Sequence, residues 1–281
     1  MPASPDALVS TAWLARHLDA PDVRIVDGTW CLPAQNRDPK AEYAAAHLPG
    51  AVYFDIDDIA DESSSLPHML PSPAKFSSRV RRLGLGDGVR IVIYDSNRFL
   101  ASARAWWMFR LFGHADVAVL DGGLGKWRDE GHPVDDRPVR PVERHFTARQ
   151  NNLLVRDLDQ MRANLTRRGE QVLDARAAGR FRGAEPEPRQ GLRSGHIPGS
   201  RNLPYSDLLA ADGTMKPEAD LRRLLDAAEV DLDRPVVTSC GSGVSAAVLS
   251  LALHRLGAPD SAVYDGSWTE WGGRSDTPIA T

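Results

Sequence analysis

An internal repeat constrains this chain more than any other feature. Residues 91–132 read IVIYDSNRFLASARAWWMFRLFGHADVAVLDGGLGKWRDEGH, and residues 236–273 read VVTSCGSGVSAAVLSLALHRLGAPDSAVYDGSWTEWGG. Both give an apolar β-type run, a loop, a long apolar run closed by Gly, a second β-type run, then Asp-Gly and a Trp. The offset is 144 for Gly113/Gly257, Asp121/Asp265, Gly122/Gly266 and Trp127/Trp271, and 145 for Asp95/Cys240. Upstream, Arg24-Ile-Val-Asp27 parallels Gln171-Val-Leu-Asp174, and His47-Leu-Pro-Gly50 parallels His196-Ile-Pro-Gly199. So many matches in one order imply two homologous domains. The 281 residues then divide into domains at 1–135 and 153–281, with a linker at 136–152 inside a Pro- and charge-rich stretch.

Each copy alternates two kinds of segment. RIVD, RIVIYD and VAVL are short, rich in β-branched residues and flanked by turn signals, so they read as strands. ASARAWWMFRLFG and VSAAVLSLALHRLG are long enough for helices and stop at Gly. Alternation of this kind predicts an α/β fold, each domain a largely parallel sheet flanked by helices. In such folds the chemistry lies beyond the carboxyl ends of the strands.

Composition removes several classes. Hydrophobic residues at 42% and charged residues at 26% exclude a disordered, collagen-like or coiled-coil chain. A net charge of −4 without a basic stripe argues against nucleic-acid binding. No apolar run is long enough to span a membrane, and the N-terminal stretch lacks the basic-then-apolar pattern of a secretory leader. Two cysteines, Cys31 and Cys240, make no disulfide framework, so a reducing, cytoplasmic setting is expected. No His-Glu-x-x-His or Cys-x-x-Cys occurs, so no metal site is expected, and the reaction expected below implies no organic cofactor.

The distinctive loop is Cys240-Gly-Ser-Gly-Val-Ser245, between a strand and a helix. Gly241 and Gly243 let successive N–H groups curl inward as an anion-holding nest, and the helix N-terminus adds partial positive charge there. That environment favours a thiolate nucleophile at Cys240. A lone cysteine is more often buried and inert, but this setting favours chemistry. Three competing motifs fit less well. Gly241-x-Gly243-x-x-Ala246 resembles a dinucleotide fingerprint, but the equivalent loop at Asp95 has no glycine. A cysteine phosphatase would place Arg six residues after the cysteine, where Ala246 stands. Gly125-Lys126 precedes Trp127 rather than Ser or Thr, so it is no P-loop.

The tandem repeat with a cysteine loop in its second copy alone resembles the two-domain rhodanese family of sulfurtransferases over essentially the whole chain. Cys240-Gly-Ser-Gly-Val-Ser245 is similar to the mercaptopyruvate-type loop, Cys-Gly-Ser-Gly-Val-Thr, with Ser in the last place. It is less like the thiosulfate-type Cys-Arg-Lys-Gly-Val-Thr. The segment Gly179–Arg189 is similar to the family's substrate-arginine segment, with Arg180 and Arg189 at its two arginines. The resemblance implies that Gly241, Gly243, Val244 and Ser245 hold substrate beside them. It also implies that Asp57 and His68 join Ser242 in a serine-protease-like relay.

The expected reaction moves sulfur from 3-mercaptopyruvate, through a Cys240 persulfide, to a thiol such as thioredoxin or to cyanide, releasing pyruvate. A thiosulfate:cyanide sulfurtransferase is the alternative within enzymes, and a non-catalytic partner-binding module the alternative outside them. His47 and His196 read as structural, because both copies carry them. Trp106, Trp107, Trp127, Trp268 and Trp271 read as packing, and Cys31 as a bystander.

Overall fold

The structure is a computed structural model that describes residues 6–258 and 261–281. The first residues of the N-terminal stretch read for a leader therefore lie outside the described part. Among the described residues ten strands form in two sets of five. The first set is β1 (Leu8–Val9), β2 (Val23–Asp27), β3 (Val52–Tyr53), β4 (Arg90–Tyr94) and β5 (Val117–Leu120). The second is β6 (Val155–Arg156), β7 (Gln171–Asp174), β8 (Arg201–Asn202), β9 (Val236–Ser239) and β10 (Ser261–Tyr264).

Their sheets run β1-β5-β4-β2-β3 and β6-β10-β9-β7-β8, so adding five to every label of one order gives the other. Every pairing is parallel. Parallel strands covered by helices on their faces carry no polar face. Accordingly β5, β7, β9 and β10 are buried at every residue. The two long apolar runs form helices Ser102–Leu111 and Ala246–Arg255, each buried over most of its length. A helix apolar on all sides has to lie inside the core.

Two compact units result. One takes the described residues up to Ala60 with Pro71–Asn151 and Ala210–Met215. The other takes Asp61–Leu70, Asn152–Leu209 and Lys216–Thr281. Each unit therefore includes a short segment from the far half of the sequence. Trp127 lies in the core of the first unit, and Trp268 and Trp271 in that of the second.

The paired histidines are staples in both units. His47 Nδ1 lies 2.8 Å from the Tyr43 carbonyl and its ring stacks on Tyr43 at 4.4 Å. His196 Nδ1 lies 2.9 Å from the Phe181 carbonyl and its ring stacks on Phe181 at 3.9 Å. Each also makes an isolated antiparallel bridge, to Asp135 and Ala280 respectively. Among the described residues no helix is long and apolar enough to cross a membrane, and no cluster of three or more His, Cys, Asp or Glu suits a metal ion.

Candidate active site at the Cys240 loop

Cys240 follows the last residue of β9 and is almost fully buried, at 1% exposure. The loop runs to Ser245, and the helix begins at Ala246. Ser242 and Val244 are also buried. Gly243 has φ +77°, in the left-handed region that favours glycine. Gly241 does not lie there; what restricts it is space, since a Cβ would stand 3.2 Å from Arg180 Nη2.

The turn that opens helix Ser267–Trp271 grips this loop. The N–H of Trp268 donates to the Cys240 carbonyl at 2.9 Å, and the N–H and hydroxyl of Thr269 donate to the Gly241 carbonyl at 2.8 and 2.6 Å. In a trans peptide the N–H points opposite to its carbonyl. The amides of Gly241 and Ser242 are thereby turned away from that helix, as an anion cradle requires.

Arg180, in helix Ala178–Phe181, reaches the loop from a chain of buried charges. Arg176 is held bidentately by Asp174, and its Nη1 lies 2.7 Å from Glu187 Oε1. Glu187 Oε2 in turn lies 2.5 Å from Arg180 Nη2. Burial works against the Arg176 charge, but Asp174 and Glu187 outweigh it and raise its pKa. The Arg176 guanidinium also sits 4.3 Å over the Trp268 ring, so the arginine network and the loop grip share a residue. Glu187 engages Nε and Nη2 of Arg180, which leaves the Nη1 end for an anion. Arg189 is half-buried in the segment that follows.

Of the remaining expected residues, His68 joins the unit that contains Cys240. It is 7% exposed and has φ +60°. Its segment is tied down by Asp61 N–H to the Met69 carbonyl at 2.9 Å and by Leu70 N–H to Asp265 Oδ2 at 2.8 Å. Asp265 follows β10, at the same sheet end as Cys240. A strained backbone at a buried histidine fits a functional position. Asp57 belongs to the other unit, where its carboxylate accepts the Trp30 indole N–H at 2.9 Å. Ser242, His68, Arg180 and Cys240 thus share one unit. Cys31 lies in the other, where burial pushes its thiol pKa up against a smaller opposing pull from Arg37.

The Asp95 loop corrects a sequence expectation. A loop without glycine is not expected from its sequence to turn its N–H groups inward. The structure shows the reverse: Asp95 Oδ1 accepts from Asn97 and Phe99 N–H at 3.1 Å each, and Oδ2 from Ala101 and Ser102 N–H at 3.1 and 2.8 Å. Arg98 and Phe99 take positive φ, 61° and 65°, to make the turn without glycine. The first unit keeps the anion cradle, and a carboxylate of its own chain fills it at the position aligned with Cys240.

Residues 10–130 and 157–274 each match the rhodanese-like domain, and the chain belongs to that family. A human 3-mercaptopyruvate sulfurtransferase is 43% identical over 94% of this chain and 91% of its own. A bovine thiosulfate sulfurtransferase is also 43% identical, with the same 94% and 91% coverage. Among solved structures, the 3-mercaptopyruvate sulfotransferase SseA of Escherichia coli superposes with a TM-score of 0.86 at 38% identity, covering 93% of this chain and 98% of its own.

Proposed function

We propose that this chain moves sulfur from 3-mercaptopyruvate to a thiol acceptor through a persulfide on Cys240. The observation that carries the reading is the gripped loop: a buried cysteine at a strand end, with the Gly241 and Ser242 amides turned to one side and Arg180 against Gly241. Arg180 and Arg189 hold the donor's carboxylate and oxo group, for which a guanidinium fork is suited. The Cys240 thiolate attacks the donor sulfur; an S–S bond forms and the C–S pair leaves as the enolate of pyruvate. Ser242 and His68, with Asp57 as the third proposed member, deliver the proton that converts the enolate to pyruvate. The cradle, with Gly243, Val244 and Ser245 around it, stabilises the anionic persulfide. An acceptor thiolate such as thioredoxin's, or cyanide, then takes the outer sulfur and restores the Cys240 thiolate.

The domain 1–135 plays no covalent part in this scheme, and a cytoplasmic setting would keep Cys240 reduced. A thiosulfate donor is the second reading, kept open because the bovine thiosulfate enzyme is as similar as the human mercaptopyruvate enzyme. Against it, positions 241 and 242 are Gly and Ser, with no cation to hold a leaving sulfite. An arginine at 241 would also meet Arg180, since even a Cβ there stands 3.2 Å from its Nη2.

Side-by-side kcat/KM values for the two donors test donor choice, and intact mass of Cys240 with and without donor tests the carrier. The expected result is a donor-dependent gain of one sulfur atom on Cys240 and a higher kcat/KM for mercaptopyruvate. A chain that binds either donor without that gain is a binding module. Arg180→Ala is expected to raise KM for mercaptopyruvate about tenfold, through loss of carboxylate binding. Unchanged KM in a folded variant would remove Arg180 from the donor site.

A further inference from the structure

A nucleophile needs an orientation as well as a cradle, and the direction of Cys240 Cα–Cβ is set by the peptide planes on either side of it. The plane that follows is held by Trp268 N–H on the Cys240 carbonyl. The plane that precedes it is held at both ends. The Ser239 carbonyl accepts from Ala175 N–H at 2.8 Å, and the Cys240 N–H donates to Ser267 Oγ at 3.2 Å. The Ser267 hydroxyl donates to the Tyr264 carbonyl at 2.8 Å, which turns its lone pair toward Cys240.

Ser267 does this from an unfavourable backbone. It is fully buried with φ +48°, a region that L-residues with a Cβ avoid. The repeat supplies an internal comparison. The aligned residue in the other unit is Gly123, with φ +57°, and its neighbour Leu124 donates to the Asp95 carbonyl at 2.9 Å, as Trp268 does to Cys240. The grip and the left-handed turn are thus common to both copies. The copy with Asp95 at the aligned position uses the residue that tolerates the turn, and the copy with Cys240 there carries a strained serine whose hydroxyl accepts from the Cys240 amide. A residue held against its preference beside a reactive group points to function.

We infer that Ser267 is a positioning residue for Cys240, its hydroxyl fixing the plane before the nucleophile so that the sulfur meets the donor in line. This rests on the reading of Cys240 as the sulfur carrier. Ser267→Gly and Ser267→Ala separate the role from simple stability, because glycine relieves the strain and alanine keeps it, while both lose the hydroxyl. Both variants are expected to lose about tenfold to a hundredfold in kcat for mercaptopyruvate with KM close to the parent, the scale on which small misplacements of reacting groups act. The glycine variant is expected to melt close to the parent and the alanine variant lower.

A merely structural serine would give activity that follows melting temperature. A glycine variant with parent-like stability and parent-like kcat would therefore overturn the inference. Intact mass of the donor-treated parent is read in the same experiment. A parent that gains no sulfur on Cys240 overturns the carrier reading itself. A parent that gains it, beside a fully active glycine variant, overturns only the part given to Ser267.

Discussion

Replacing Cys240 by serine is expected to remove sulfur transfer, a loss of at least about 10³-fold in kcat, while the protein stays folded. Serine is nearly isosteric, and the site offers a hydroxyl the same amides it offers sulfur. Its hydroxyl, however, ionises far less readily than a thiol near neutral pH and forms no persulfide. Cys31→Ser is the matched control. That residue sits in the other unit, where burial favours the neutral thiol, and turnover is expected to remain. Steady-state kinetics with melting curves for both variants check this. Substantial turnover by a folded Cys240→Ser would place the chemistry elsewhere.

Asp95→Ala is expected to be strongly destabilising to the first unit. It leaves four amides without their acceptor, those of Asn97, Phe99, Ala101 and Ser102. Asp95 is 1% exposed, so water reaches the vacated space poorly. A buried donor left unsatisfied costs about 1–3 kcal/mol, and the carboxylate also offsets the cost of holding Arg98 and Phe99 at positive φ around it. A loss of roughly 4 kcal/mol or more follows, which is about 8–16 °C in the melting of a unit this size. Asp95→Asn is expected to recover part of it, since its carbonyl can still accept two of the N–H groups while its NH2 faces the other two. A melting curve for Asp95→Ala within a degree or so of the parent would show that the loop closes without its internal anion.

The repeat made most of the fold legible. The shared pattern of apolar runs and Asp-Gly-x-x-x-x-Trp places β4, β5, β9 and β10, both long helices and the Cys240 loop, because strands buried on both faces read as short apolar runs, whereas the two-residue strands β1, β3, β6 and β8 carry no such signal. Contacts that depend on backbone conformation were harder to see. The alignment of Asp95 with Cys240 was visible, but a loop without glycine gave no hint that Arg98 and Phe99 would take left-handed conformations around a carboxylate. Ser267 was hidden for a related reason: serine carries no signal for positive φ. Its partner in the repeat did, since Gly123 follows Asp121-Gly122 just where Ser267 follows Asp265-Gly266. Glu187 was missed because nothing in a loop of Glu, Pro and Arg marks one carboxylate as buried between Arg176 and Arg180.

The membership of Asp61–Leu70 in the second unit bears on how the protein is made. Leu70 must wait for its acceptor Asp265, which lies 195 residues further along the chain. At about 5–20 residues per second on a ribosome, that interval is roughly 10–40 s. During it the Leu70 N–H lacks this acceptor, while the strands of the first sheet have all been made. Ala210–Met215, which completes the first unit, is also made late. All five strands of the first sheet are therefore made well before Cys240. Cys240 and Ser267 lie only 27 residues apart, with Asp265 between them, so on the proposed scheme the groups that complete the site are all made late.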